Sequence, residues 1–325
     1  MSVVSENSQR SGIFFAIAAF AIFATHDALI KHLGGSYTVF QIMFFSVMFG
    51  FPPIALTMSA ARALDNFRPH HPWWLAARTL CTVIAMVCAF YAFTTLPLAE
   101  AYAILFATPL LITALSVPLL GEVVRLRRWI AILVGLLGVL IVLRPGATEL
   151  ALGHGAALIA AIASAFASII VRKIGPDERS AVLVLYPLTT TMICMAVLLP
   201  FVYEPMPVTD LGLTAVVGIM AFAGQFGIIA AYKRASATLI APMQYSQIIW
   251  ASLYGMLFFD EFPDLWVAVG AAVIIVSGIY IVLRESKEAV SDEKPVLRTS
   301  NLRTFSGIGL DPRGKKRGGI FKRSK

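Results

Sequence analysis

The feature that constrains this chain most is a succession of apolar runs, each about twenty residues long, separated by short polar breaks. Ten can be drawn, at approximately 12–33, 37–59, 73–95, 99–120, 127–144, 153–173, 181–202, 210–232, 238–259 and 264–283. About 20 apolar residues make a helix long enough to cross the hydrocarbon core of a bilayer. The breaks carry turn chemistry: Gly34-Gly35, Arg68-Pro69-His70-His71-Pro72, Arg144-Pro145-Gly146, Gly175-Pro176 and Glu204-Pro205. None of the gaps has room for a second soluble domain. Only 14% of the residues are charged, against roughly a quarter in a soluble domain, whose surface must face water. The expected fold class is an all-α integral membrane protein with ten transmembrane helices.

Loop charge tests that drawing. With the N-terminus inside, the cytoplasmic segments hold 23 Lys and Arg residues, the opposite side holds only Lys31 and Arg144, and Arg78 lies within a span. The positive-inside bias therefore predicts a multi-pass protein of the cytoplasmic (inner) membrane with both termini cytoplasmic. Of the net charge of +8, residues 285–325 carry +6, from eleven Lys/Arg against five Asp/Glu. A charge so placed argues against a nucleic-acid surface and describes a disordered, basic cytoplasmic tail. Such a tail either contacts anionic lipid, at about 1 kcal/mol per basic residue, or serves as a solvated topology anchor. Residues 1–11 form a short cytoplasmic N-terminus. The run after Arg10 is too long for a cleavable signal and flows directly into further spans. Cys81, Cys88 and Cys194 lie inside apolar runs, without pair spacing, and read as small core residues.

Two halves, 12–144 and 153–284, resemble each other at an offset near 140 residues. Ile141-Val142-Leu143-Arg144 recurs as Ile281-Val282-Leu283-Arg284, each with a glycine (Gly138, Gly278) six residues before the arginine. Gly121-Glu122 and Asp260-Glu261 end the preceding helix in each half, and Lys31-His32-Leu33-Gly34 parallels Arg172-Lys173-Ile174-Gly175. Each half has five spans, an odd number, so the second is inverted relative to the first. Inverted repeats are the architecture of carriers that hold substrate between the repeats and alternate access by rocking them.

The Leu-Pro-Leu-Ala-Glu-Ala run at 96–101, the helix closing in Leu119-Leu120-Gly121-Glu122, and Ala241-Pro242-Met243-Gln244-Tyr245 resemble the EamA family of the drug/metabolite transporter superfamily. The resemblance covers about residues 11–284 and implies a ten-helix carrier of two EamA-like repeats around a central cavity. Within that family, Thr25-His26-Asp27-Ala28-Leu29-Ile30-Lys31 and Gln244-Tyr245-Ser246-Gln247 look most like riboflavin and S-adenosylmethionine carriers.

Charged groups at a helix centre cost roughly 2.5–3.5 kcal/mol each on insertion scales, so each one needs a reason. Asp27 and Arg78 are expected to face the central cavity in one charge network, contacting a polar or zwitterionic substrate, with Asp27 a candidate carrier of a coupling proton. The competing reading pairs Asp27 with Lys31 at i,i+4 and lets Arg78 snorkel to the headgroups. Glu100 opens the fourth span and suits a helix N-terminus, while Glu122 and Glu261 sit at helix boundaries. In the ninth span Gln244, Tyr245, Gln247, Trp250 and Tyr254 mix amides with rings, a face that could stack on a planar substrate, with Tyr91 and Tyr102 contributing from the first half. The competing reading makes these packing residues and interhelical hydrogen bonds.

An enzyme is the rival class, and its constellations are missing from the sequence. His26, His32, His70, His71 and His154 have no metal-ligand spacing, and no GxSxG elbow or phosphate-binding glycine loop occurs. No metal or cofactor is expected. A channel or lipid-interacting scaffold is a third class, against which the inverted repeat argues. The expectation is a secondary transporter of a small organic metabolite, riboflavin or S-adenosylmethionine, or else an exporter of amino acids or related compounds. Direction, coupling ion and oligomeric state are left open.

Overall fold

A computed structural model describes residues 6–60, 68–122, 124–145 and 151–288. Residues 289–325, which hold most of the expected basic tail, lie outside the described residues. All the regular elements are helical: α1 (Glu6–Gly34), α2 (Val39–Ala60), α3 (Pro72–Thr95), α4 (Leu98–Leu105), α5 (Thr108–Leu120), α6 (Leu126–Leu143), α7 (Leu152–Ile174), α8 (Ser180–Val202), α9 (Val208–Arg234), α10 (Ala237–Ile240), α11 (Ser246–Phe258) and α12 (Leu265–Glu288). A 3₁₀ turn, Ala241–Tyr245, joins α10 to α11.

Among the described residues, nine helical stretches are long and apolar enough to cross a membrane, with α4 and α5 together making one of them. The remaining span, the ninth in chain order, runs from α10 through α11 and is interrupted by its 3₁₀ turn. Proline explains both interruptions. It lacks an N–H and fits a helix best in the first turn, where that N–H would be unpaired anyway. Pro109 stands in the first turn of α5 and Pro242 in that of the 3₁₀ turn, so each fourth span of a repeat stops and restarts. The two breaks meet. Phe106, where α4 ends, packs its ring edge-to-face on Tyr245 at 5.1 Å, and these residues are 139 positions apart, the repeat offset.

The outward faces show what surrounds the bundle. On α6, Leu126, Ile130, Leu133, Leu137 and Leu140 form one stripe and are 51–76% exposed, where a soluble helix would be polar. The inward face of α6 carries Gly135 and Gly138.

The two halves interlock rather than lie side by side. α1 packs on α9 and α7 on α3; α5 packs on α7 and α11 on α1; α2 packs on α9 and α8 on α3. Under exchange of the repeats each pair maps onto the next, while α2–α8 and α6–α12 map onto themselves. Small residues allow the closest of these crossings. A β carbon on Gly138 would meet the Gly270 carbonyl oxygen at 2.9 Å, and one on Gly270 the Gly138 oxygen at 2.7 Å. Gly138→Leu is therefore expected to cost about 1–3 kcal/mol through overpacking, read as a lower unfolding temperature of the detergent-purified protein. Gly155→Leu, which meets nothing within 4 Å, is expected to leave that temperature unchanged.

Candidate functional site

Asp27 is fully buried on α1, between the repeats. His26 Nδ1 lies 2.8 Å from Asp27 Oδ1, and the Tyr102 hydroxyl on α4 donates to Oδ2. A carboxylate only accepts, so Nδ1 carries the hydrogen it shares with Asp27. Gln247 Nε2 on α11 donates to the Tyr102 oxygen at 3.4 Å. The network thus joins both halves, α1 and α4 from one and α11 from the other. Phe93 and Phe106 flank the Tyr102 ring at 5.3 and 5.7 Å, and Phe90 stands edge-on to His26 at 6.1 Å. The acid is thereby held by His26 and Tyr102 among aromatic rings and an amide.

The residues singled out in the ninth span fall into two groups. Gln244 and Tyr245 are buried in the 3₁₀ turn, where Tyr245 lies on Phe106 and its hydroxyl fills the space beside Gly278 that a β carbon would need. Trp250 stacks on Tyr254 at 6.5 Å, further along α11. The Thr25 hydroxyl donates to the Ala21 carbonyl, so the Tyr254 hydroxyl, 2.9 Å away, donates to Thr25. Tyr254 therefore borders the Asp27 network through the preceding turn of α1. Tyr91 does not join it: its backbone carbonyl accepts from Thr94 and Thr95, and its neighbour Phe90 is the residue that faces His26.

Arg78 departs from expectation. It is six residues into α3, about 9 Å from the helix start, and its Nη1 donates to the Leu183 carbonyl on α8. The cause is four residues on, where Pro187 stands inside α8 without the N–H that would have satisfied Leu183. The guanidinium replaces the missing backbone donor, and neither a charge network with Asp27 nor snorkelling describes it. Lys31 is also not the partner of Asp27. Its ammonium pairs with Glu261 at 2.7 Å and donates to the Leu96 carbonyl at 2.6 Å. Glu100 stands in the first turn of α4 as expected, and in addition meets His154 Nε2 at 2.9 Å.

A cleft of about 230 Å³ opens at the end of the bundle opposite the N-terminus, lined by Glu100, Arg144, Ala251, Gly255, Glu261 and Asp264 among others. Gln247, Ala251 and Gly255 lie at i, i+4 and i+8 on one face of α11, so the cleft borders the same helix face as the amide that reaches Tyr102. Nearby, outside the spans, the Tyr37 hydroxyl donates to Asp210 at 2.6 Å, and that bond pushes the phenol up to about 12.

With this geometry in hand, comparison with known proteins is direct. The EamA-like transporter family profile matches residues 10–144 and again residues 149–284. The chain belongs to that family, whose members are transporters rather than enzymes, and it is a multi-pass membrane protein of two repeats. It is 27% identical over 272 residues to the pseudopaline exporter CntI of Pseudomonas aeruginosa, covering 83% of this chain and 95% of that one. It is 25% identical over 282 residues to the S-adenosylmethionine uptake transporter of Rickettsia prowazekii, covering 86% and 95%. A solved crystal structure shares the fold with a TM-score of 0.58 at 20% identity, over 89% of this chain and all of the other.

His26, Phe90, Phe93 and Phe106 were not singled out from the sequence as site residues. The available signal was position: His26 adjoins the acid within the apolar run of α1, and Phe106 lies three residues before Pro109. For Arg78 the geometry predicts a coupling. Arg78→Met is expected to cost about 1–3 kcal/mol by leaving the Leu183 carbonyl open. In a Pro187→Ala background, where residue 187 regains its N–H, the same change is expected to cost less than half as much. A double-mutant cycle on unfolding temperature measures the difference.

Proposed function

We propose that the chain is a secondary carrier of a small organic metabolite bearing a cationic centre, working by alternating access across the cytoplasmic membrane with both termini cytoplasmic. The observation that carries this reading is the Asp27 carboxylate, buried between the repeats among Tyr102, Phe93, Phe106 and Phe90. A carboxylate attracts an ammonium or sulfonium, and ring faces add about 0.5–2 kcal/mol of cation–π attraction when desolvated. Arg78 and Lys31, the basic residues nearest in sequence logic, are committed to Leu183 and to Glu261.

S-adenosylmethionine, the cargo named for the Rickettsia relatives, carries a sulfonium and suits this chemistry; riboflavin, which has no cationic centre, suits it less. Amino acids and related amines are the second reading, favoured by the mixed acid and base lining of the outer cleft. One relative is named for export and the other for uptake, so kinship supports the scaffold and not a direction. In the proposed cycle Asp27 alternates between cargo or a proton and its resting partners His26 and Tyr102. The Gln247, Trp250 and Tyr254 side of α11 contacts the planar part of the cargo.

The first test is thermal stabilisation of the purified protein against S-adenosylmethionine, riboflavin, amino acids, nucleosides and polyamines. A true ligand at 100 times its dissociation constant adds about 2.7 kcal/mol to the folded state. Cationic compounds are expected to stabilise, and Asp27→Asn is expected to abolish that shift while leaving the unliganded protein folded. Stabilisation by riboflavin alone, or retained in Asp27→Asn, would remove Asp27 from cargo binding. In proteoliposomes loaded with the stabilising compound, Asp27→Asn is expected to lower the rate at least about tenfold, the effect of ~1.4 kcal/mol, and Tyr102→Phe less.

A further inference from the structure

Two features that recur between the halves turn out to be each other's partners. The Gly-Glu or Asp-Glu step closing the fourth span of one repeat meets the basic residue near the end of the first span of the other. Opposite the N-terminus, Glu261 takes Lys31 at 2.7 Å and the Leu98 amide at 3.2 Å, while Lys31 also donates to the Leu96 carbonyl. At the end that bears the N-terminus, Glu122 takes Arg172 Nη2 at 2.5 Å. Both acids are presented by the same backbone device. Gly121 and Asp260 are left-handed, with φ of 70° and 52°, and the amide of the following Glu reaches back six residues to the Ser116 or Gly255 carbonyl. Lys31 to Arg172 and Glu122 to Glu261 are separated by 141 and 139 positions, so one pair is the image of the other under exchange of the repeats. Each pair crosses the repeat boundary, and each is partly buried, with side-chain exposures of 10% and 21% in one and 14% and 26% in the other.

An ion pair is a suitable fastening for an end that must open to water. When it parts, hydration of both charges offsets most of the lost attraction, whereas an apolar contact would be opened at full cost. Both pairs are closed in this structure, which fastens both ends at once. We propose that Lys31–Glu261 and Arg172–Glu122 are the paired latches of the two gates, each released when its own end opens and held while the other end is open. This deepens the alternating-access reading and rests on it. The repeat symmetry requires the latches to act reciprocally: weakening one shifts the resting population toward its own open side and away from the other.

The test reads accessibility, and cargo does not enter it. In a background with Cys81, Cys88 and Cys194 replaced by alanine, single reporters Ala251→Cys and Ile112→Cys occupy repeat-equivalent buried positions beneath the two latches. Their labelling by a membrane-impermeant maleimide is measured in proteoliposomes, with reagent on either side. Glu261→Gln is expected to raise labelling at position 251 about fivefold, the two-state effect of ~1 kcal/mol, and to lower it at 112. Glu122→Gln is expected to do the reverse. The charge exchange Lys31→Glu with Glu261→Lys is expected to restore the parent ratio, which also shows that loss of fold is not the cause. Unchanged labelling, a rise at both reporters together, or an exchange that fails to restore the ratio would each overturn the latches. Cargo-dependent stabilisation surviving such a result would leave the carrier reading standing without them.

Discussion

Hydrocarbon offers no hydrogen-bond partner, so a polar group that folding places inside a bilayer must find its partner in the protein itself. Several long-range contacts in this bundle follow from that demand. Pro187 frees the Leu183 carbonyl, and Arg78 crosses from α3 to serve it. Asp27 is held by its neighbour His26 and by Tyr102 from another helix. The Thr108 hydroxyl, at the restart of the fourth span, reaches the Ala161 carbonyl on α7 at 3.2 Å, and Ser277 on α12 donates to the Ala131 carbonyl on α6. Apolar packing alone does not choose between neighbours in lipid, because lipid tails are as apolar as leucine. These polar contacts, and the close glycine crossings between them, fix which helix meets which.

Much of the fold was legible because the bilayer imposes a length on every element. The runs drawn at 12–33 or 153–173 lie within α1 and α7, since nothing but a helix satisfies twenty consecutive backbones without water. The ninth span was legible in extent but not in form: Pro242 signals a disturbance, and whether the chain kinks or passes through a 3₁₀ turn depends on what packs beside it. Asp27 stood out as an acid in an apolar run, whereas Tyr102 was expected beside the rings of the ninth span and only the fold brings its hydroxyl to Asp27. Arg78 was misplaced because its partner is a carbonyl orphaned by a proline over a hundred residues away, a relation that no local spacing encodes. The competing reading of Lys31 fails for the opposite reason. Its i,i+4 neighbour Asp27 is an attractive local partner, yet Glu261, from the other repeat, wins. Both halves of that contact had been noticed as repeated motifs, and only the fold shows that repeated motifs of opposite charge face one another.

The relatives named for uptake and for export share this scaffold over most of their length. That divergence of direction is understandable in a bundle whose interfaces map onto one another when the halves are exchanged. The architecture itself has no preferred side, and the differences between halves must supply one. At the end opposite the N-terminus, Arg144–Asp264 at 2.6 Å and Glu100–His154 at 2.9 Å reinforce Lys31–Glu261.

The edge-to-face contact of Phe106 and Tyr245 has a kinetic meaning. These residues occupy equivalent positions in the two repeats and touch each other, so swapping the conformations of the halves returns the same contact. A group that keeps its neighbours throughout a cycle behaves as a fulcrum. In the proposed alternating-access cycle, altering it would scale the inward and outward half-reactions by the same factor, changing turnover while leaving the ratio of influx to efflux to the gradients alone.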